Sequence, residues 1–200
     1  MKYYEADEDL SGPILKVQEW IQEAEISSVA LPHAMNISSI NLDGKPSSRM
    51  VLLKRISNEG LVFFTDYEGH KGQQIIASPH VALTFWWAKT NKQIRIEGEC
   101  SKVSKKESDD YFNSRPRGSQ ISASVSLQSS ELDSYESLEK RSRDFEAEYL
   151  DKEIQRPSRW GGFLVKPKSI EFWIDQKNRL HKRELFTIDD SDWKMVLLSP

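Results

Sequence analysis

The pentapeptide Arg179-Leu180-His181-Lys182-Arg183 sets two guanidiniums on either side of an imidazole. In a strand, residues two apart share a face. Arg179, His181 and Arg183 would therefore point one way, and Leu180 and Lys182 the other. Such a face binds anions and handles protons, because arginine offers a fixed fork of donors and histidine titrates near neutrality. A solvated strand face with ordinary charges accounts for the same spacing. In a second stretch, Arg49-Met50-Val51-Leu52-Leu53-Lys54, two cations bracket an apolar run. Their odd separation puts them on opposite faces of a regular strand. Either they serve different ligands or a bulge intervenes; a core strand with charged ends is the plainer reading. In the third, Gly69-His70-Lys71-Gly72, Lys71 opens a short helix, where unsatisfied N–H groups and the helix dipole favour a phosphate. A simple capping turn is the alternative. The fourth runs from Arg115 to Ser130, RPRGSQISASVSLQSS. It reads as a linker by composition, or as a set of anion and amide ligands by residue type.

Other chemistries find no support. Neither a Walker A loop nor a G-x-G-x-x-G fingerprint occurs, and no G-x-S-x-G elbow marks a hydrolase. His33, His70, His80 and His181 lack ligand spacing and Cys100 is the sole cysteine, so neither a metal site nor an internal disulfide is expected. Cys100 reads as a packed strand-end residue. Trp86, Trp87, Trp160 and Trp173 suit the core or an interface, although one could stack on a planar ligand. A net charge of −3 argues against a protein built to coat nucleic acid or an anionic membrane. The acidic start MKYYEADEDL is no secretory signal and no apolar run is long enough to span a bilayer, so a cytoplasmic location is expected.

The elements that must position these residues follow from periodicity. A chain of 200 residues suits one domain, here a mobile segment over 1–12 and a single domain over 13–200. Ile14, Val17, Ile21 and Ala24 recur at helical spacing behind Pro13, which predicts a helix to about Ala24. From Ala34 to Gly98 strands dominate, with a turn at Asp43-Gly44, a short strand GLVFFTD, a short helix after Gly69, and the pair VALTFWWA and KQIRIEGEC. In the last, Gln93, Arg95 and Glu97 alternate with buried-face Ile94, Ile96 and Gly98. Ser104 with Glu107 predicts a capped helix. Tyr135, Leu138, Phe145 and Tyr149 predict one amphipathic stripe. Three strands follow: FLVKPKSIEFWID, RLHKRELFTID and WKMVLLS. The sum is a mainly β, α+β chain, an antiparallel barrel with peripheral helices.

Taken in order, RMVLLK (49–54), VFFT (62–65), QIRIEG (93–98), YFNSRPRGSQI (111–121), QSS (128–130), WGG (160–162), IEFW (170–173) and RLHKR (179–183) resemble the pyridoxamine/pyridoxine 5′-phosphate oxidases, over nearly all of 13–200. The resemblance implies an FMN-binding split β-barrel with Greek-key-like strand order, working as a homodimer with FMN at the subunit interface. It implies FMN contacts along Arg49, Met50, Val51, Leu52, Leu53 and Lys54 and at Phe64, Thr65, His70 and Lys71. Gln93, Gln128, Ser129, Trp173 and Arg183 complete the cofactor set. It implies a substrate-phosphate cradle of Lys54, Tyr111, Arg115 and Ser119, with Arg179 and His181 as catalytic residues over the substrate ring. The implied reaction oxidises a phosphorylated pyridine with dioxygen, giving pyridoxal 5′-phosphate and hydrogen peroxide. Four positions differ from the family pattern: His70, Phe64, Lys182 and Leu31. Strand alternation would turn Lys182 away from Arg179 and His181. A related oxidase acting on a phenazine precursor and a non-catalytic flavin- or pyridoxal-phosphate-binding module are the alternatives.

Overall fold

A computed structural model describes residues 4–190 and 192–200. Strand β1 (Glu5–Ala6) and helix α1 (Gly12–Ile26) precede the hairpin of β2 (Ala34–Ile40) and β3 (Pro46–Leu52). β4 (Arg55–Ser57), β5 (Gly60–Asp66), α2 (His70–Ala77), β6 (His80–Trp87) and β7 (Lys92–Lys102) follow. Helices α3 (Lys105–Ser114), α4 (Arg117–Val125) and α5 (Tyr135–Glu148) lead to β8 (Trp160–Ile174), β9 (Lys182–Asp189) and β10 (Asp192–Leu197). The strands form one curled sheet in the order β1-β4-β5-β8-β7-β6-β2-β3, with β9 on β8 and β10 on β9. All pairs are antiparallel except β1 with β4.

β8 is the spine of this sheet. It pairs with β7 along one edge, and its other edge is shared between β5 (160–165) and β9 (169–174). The barrel splits where that edge changes partner. There the β7–β8 register shifts between Glu97 and Gly98. A side chain at Gly98 would meet the Lys166 carbonyl at 2.3 Å, so only glycine allows this approach.

The apolar periodicities fill the barrel. Ile14, Val17, Ile21 and Ala24 of α1 are buried as the stripe predicts, together with Trp20, which stands edge-on to Phe172 at 5.0 Å. Ile94, Ile96, Gly98 and Cys100 of β7 face inward while Arg95, Glu97 and Glu99 face out. A smaller cluster of Phe112, Ile121, Ile154 and Trp160 lies under α3 and α4. Ser104 caps α3 by accepting from the Glu107 amide at 3.0 Å.

Four expectations need correction. The strand through RMVLLK stops at Leu52, and Leu53 and Lys54 break it before β4. RLHKR is not one strand: Lys177–Arg179 form a 3-10 turn, Asn178 and Arg179 have φ of 57° and 61°, and β9 starts at Lys182. Arg179 and His181 therefore both lie outside β9, and neither shares a strand face with Arg183. No residue of α5 is buried, and Tyr135 is exposed, because the helix lies on the surface. Phe145 and Tyr149 do stack on each other at 4.3 Å. Last, the serine-rich stretch after Arg115 forms α4 rather than open linker. Of the segment expected to be mobile, Met1–Tyr3 lie outside the described residues. From Glu5 the chain is bonded to the barrel through Lys54 O, Ile56 O and Asn58.

The turn into α2 depends on Gly72. A Cβ there would stand 2.4 Å from Tyr67 O and 2.5 Å from Asp66 O, both main-chain atoms. Gly72→Ala is expected to cost at least about 2 kcal/mol, the scale of an overpacked core position, measured by urea denaturation. A loss under about 0.5 kcal/mol would show that the turn yields.

Candidate active site

The strand breaks at Leu53–Lys54, and of the two cations that bracket the run only Lys54 lines the adjoining cavity. Arg49 points inward from β3 and donates from Nη1 to Ser39 Oγ at 2.7 Å, and from Nη2 to Ser47 Oγ at 2.6 Å and Gln74 Oε1 at 3.1 Å. Lys54 is half-buried and tied by its backbone to Val62 O at 2.8 Å. Between them Met50, Val51 and Leu52 line a cavity of about 310 Å³ together with Lys54. Leu53 does not join them; its side chain is fully buried in the barrel core.

The opposite walls come from distant elements. Phe64 stacks on Tyr111 at 3.9 Å and on Trp160 at 5.6 Å. Arg115 lies over the Trp160 ring at 4.5 Å, and its Nη1 is buried with no hydrogen-bond partner among the described residues. Ser119 sits half-buried in the first turn of α4. Lys71 donates to Thr65 Oγ1 at 2.7 Å and to Gln128 Oε1, and Thr65 Oγ1 donates to that same oxygen at 3.1 Å. The His70 amide donates to Ser129 Oγ at 3.3 Å, while the His70 side chain is exposed. Ser129 holds φ of 71°, a left-handed turn that swings the chain back toward α2.

Electrostatically the cavity is suited to an anion, with Lys54, Lys71 and Arg115 in its lining. No carboxylate lines it. Burial lowers the pKa of Lys54, and the nearby Arg115 lowers it further. Burial, then Arg49, pushes Lys71 down to about 8, with Asp66 pulling partly back. Burial lowers Arg49 and Arg115 as well. Arginine nonetheless stays charged. Buried cations without counter-charges are costly unless an anion joins them.

A second group gathers at the far end of β8. Trp173 pairs with Gln93 on β7 and with Arg183 on β9. His181 lies against Trp173 at 4.5 Å, and its Nδ1 is 3.0 Å from Asp175 Oδ1 and 3.2 Å from the Gln176 amide. Arg183 donates from Nε to Glu171 Oε1 at 2.7 Å and from Nη1 to Ser199 O at 2.9 Å. Arg179 is exposed on the 3-10 turn. None of these five residues lines the cavity. β8 carries Trp160 at one end and Trp173 near the other, and its 15 residues run about 50 Å at ~3.3 Å each.

Sequence reasoning missed Trp160 as a cavity wall, Gln74 beside Arg49, and buried Glu171, which also accepts from Arg95 at 2.9 Å. Glu171 lies inside the IEFW stretch, but its pairing with Arg95 and Arg183 comes from cross-strand contacts that the sequence does not show. Among the described residues no group of three or more His, Cys, Asp or Glu could hold a metal ion, and no helix is long and apolar enough to cross a membrane.

A curled sheet split along one spine strand, with a cationic cavity beside it, defines the split-barrel class. The fold superposes on PhzG from Burkholderia lata 383, solved in complex with tetrahydrophenazine-1-carboxylic acid, with a TM-score of 0.90 at 29% identity over 97% of this chain and 95% of that one. A pyridoxamine 5′-phosphate oxidase-related, FMN binding protein from Nostoc punctiforme shares the fold alone, with a TM-score of 0.76 at 14% identity over 96% and 100% of the two chains. Residues 21–149 match the pyridoxamine 5′-phosphate oxidase model, and residues 160–200 match the pyridoxine 5′-phosphate oxidase C-terminal dimerisation region. A relative from Nostoc sp. strain PCC 7120, named pyridoxine/pyridoxamine 5′-phosphate oxidase, is 45% identical over 190 residues, covering 94% of this chain and 89% of its own. One of the same name from Christiangramia forsetii is 45% identical over 189 residues, covering 94% and 88%. The chain belongs to the pyridoxamine 5′-phosphate oxidase family, a family of oxidoreductases.

Proposed function

We propose that this chain oxidises pyridoxamine 5′-phosphate or pyridoxine 5′-phosphate to pyridoxal 5′-phosphate, with FMN as cofactor and dioxygen as electron acceptor. The observation that carries this reading is the convergence of Lys54 and Arg115 in a cavity lined by no carboxylate, with Arg115 Nη1 buried and unpartnered. A phosphate dianion supplies what those donors lack. The donor set fits FMN as well: Arg49, Lys71 and Ser129 would hold its phosphate, and Met50 to Leu52, Thr65 and Gln128 its ring system. Bound there, FMN supplies the two-electron acceptor, with hydrogen peroxide as the reduced product of dioxygen.

The protein's own work is placement. Lys54 and Arg115 hold the substrate phosphate, with Tyr111 and Ser119 completing the cradle. Arg179 and His181 are cast as the groups over the substrate ring: arginine orients the reacting substituent and histidine holds or moves its proton. His181 Nδ1 can face the Asp175 carboxylate as a donor or the Gln176 amide as an acceptor, not both at once. Because Trp173, Arg179, His181 and Arg183 stand apart from the cavity, we assign them to the partner subunit's cavity in a homodimer. The match of residues 160–200 to a dimerisation region supports this.

A protein reconstituted with FMN should bleach when pyridoxamine 5′-phosphate is added without oxygen, and should form hydrogen peroxide in air. A protein that binds FMN but never bleaches with either substrate is no such oxidase. The likeness to PhzG favours a second reading, oxidation of a tetrahydrophenazine carboxylate. The paired cations Lys54 and Arg115 suit a dianion better than a single carboxylate, and running both substrates in the same assay separates the two.

FMN affinity should also depend on pH. Below about 8 Lys71 is an ammonium and attracts the phosphate; above it the free amine gives no charge. Binding then requires proton uptake, so affinity is expected to fall about tenfold between pH ~7 and ~9.5. Fluorescence titration of the FMN-free protein measures this. Lys71→Met should bind more weakly and lose the dependence; a flat profile in the unmodified protein excludes the Lys71 role.

A further inference from the structure

Arg159 belongs to no motif read from the sequence, and it does not line the cavity. It is nonetheless largely buried, and its side chain joins two elements that bear on the site. Nε forms an ion pair at 3.0 Å with Oδ2 of Asp66, a carboxylate only 4% exposed, without the alignment of a hydrogen bond. Nη2 donates to the carbonyls of Ala123 at 2.9 Å, Ser124 at 3.0 Å and Ser126 at 3.0 Å. These are carbonyls at the C-terminal end of α4, which has no basic residue in its own last turn. A helix C-terminus leaves its last carbonyls unpaired and carries partial negative charge. Arg159 supplies both the donors and the cation from another part of the chain.

Two residues beyond Ser126 the chain reaches Gln128, which accepts from Thr65 and Lys71, and then Ser129. Asp66 follows Thr65 on β5, and its Oδ1 accepts from the Glu68 amide at 2.8 Å. A single guanidinium thus ties the segment entering Gln128 to the strand end bearing Thr65. The N-terminal end of α4 is fastened separately. Gln120 Nε2 reaches the carbonyls of Phe112, Asn113 and Arg115, each at 3.2 Å, and Arg117 reaches those of Tyr149 and Lys152.

We infer that Arg159 is a positioning residue for the cofactor half of the site, setting Gln128 and Ser129 against Thr65 and Lys71, whereas Gln120 sets the substrate half at Arg115 and Ser119. This rests on the proposed function for its ligands, but not for its geometry. The two ends of α4 then govern two different constants.

The test uses the full chain, in FMN-free and FMN-loaded forms. Arg159→Met alone strands the Asp66 carboxylate and can unfold the protein, so Asp66→Asn with Arg159→Met is the working variant and Arg159→Lys the conservative one. In the folded double variant the FMN dissociation constant is expected to rise at least tenfold. The KM for pyridoxamine 5′-phosphate at saturating FMN should stay within about twofold. Arg159→Lys should recover part of the loss. Gln120→Leu should give the opposite split: KM raised, FMN affinity kept. A folded double variant with unchanged FMN affinity, or with KM raised as FMN affinity falls, overturns the assignment. Amide hydrogen exchange over residues 127–130 of the FMN-free protein reads the positioning directly. It should quicken in the double variant; unchanged exchange overturns the inference whatever the substrate. An unmodified protein that binds no FMN would instead overturn the proposed function and leave the exchange result standing.

Discussion

Replacing Arg115 by methionine is expected to lower kcat/KM for pyridoxine 5′-phosphate by about 10²- to 10³-fold while leaving the protein as stable as before. The activity loss follows from the bonds removed. Each charge-assisted hydrogen bond to a phosphate contributes roughly 1.5–3 kcal/mol, and the Arg115 fork offers two. Most of the loss should appear in KM, because phosphate binding is common to ground and transition states. The stability half is the sharper discriminator. A guanidinium that anchors a fold is paired; Arg115 has a buried Nη1 with no partner, a lysine nearby, and a tryptophan face as its main support. Methionine keeps the contact with Trp160 and removes a charge held at a cost. Thermal unfolding of the ligand-free variant should therefore match or exceed that of the parent. A marked fall in Tm with KM unchanged would make Arg115 a structural residue and move the substrate phosphate elsewhere.

The subunit-sharing arrangement predicts recovery from two dead parents. Arg115→Met disables the cavity half of the site and Arg179→Met the half at the end of β8. Each homodimer should be nearly inactive. After the two are unfolded and refolded together, half the dimers are mixed. In each of these, both lesions fall in one site and neither in the other, so about a quarter of the unmodified activity should return. Activity assays on the refolded mixture, beside each parent refolded alone, measure this. If Arg115 and Arg179 served the same chain's site, every site in the mixture would carry a lesion and no activity would return.

Much of the barrel was legible because it obeys short-range rules. The α1 stripe, the Asp43-Gly44 turn, the alternation along β7 and the Ser104 cap each lie within a dozen residues, and the first and third set one face against the core. What could not be read was set by contacts from afar. Helix α4 is poor in strong helix formers; it forms because Ile121 is buried, because Arg159 claims carbonyls at its C-terminal end, and because Gln120 ties its first turns to carbonyls at the end of α3. The turn at Arg179 rests on two residues of positive φ that any strand pattern would overlook. The site was less legible still. Lys71 meets Gln128 across 57 positions and Thr65 meets Gln128 across 63. Residue types suggested anion binding at each place separately, and only the resemblance in motif order suggested that the places converge.

The position of β8 has a consequence for how the molecule is made. Its two neighbours that come earlier in the chain, β5 and β7, are not paired with each other; β8 lies between them. Until β8 is made, one edge of β5 and one of β7 lack the partner they have in the folded chain. The last fifth of the sequence is both the lock of the barrel and the region that matches a dimerisation module. Closure of the sheet between β5 and β7 therefore waits for β8 to be made. A truncated message would leave not a smaller enzyme but an exposed template for aggregation.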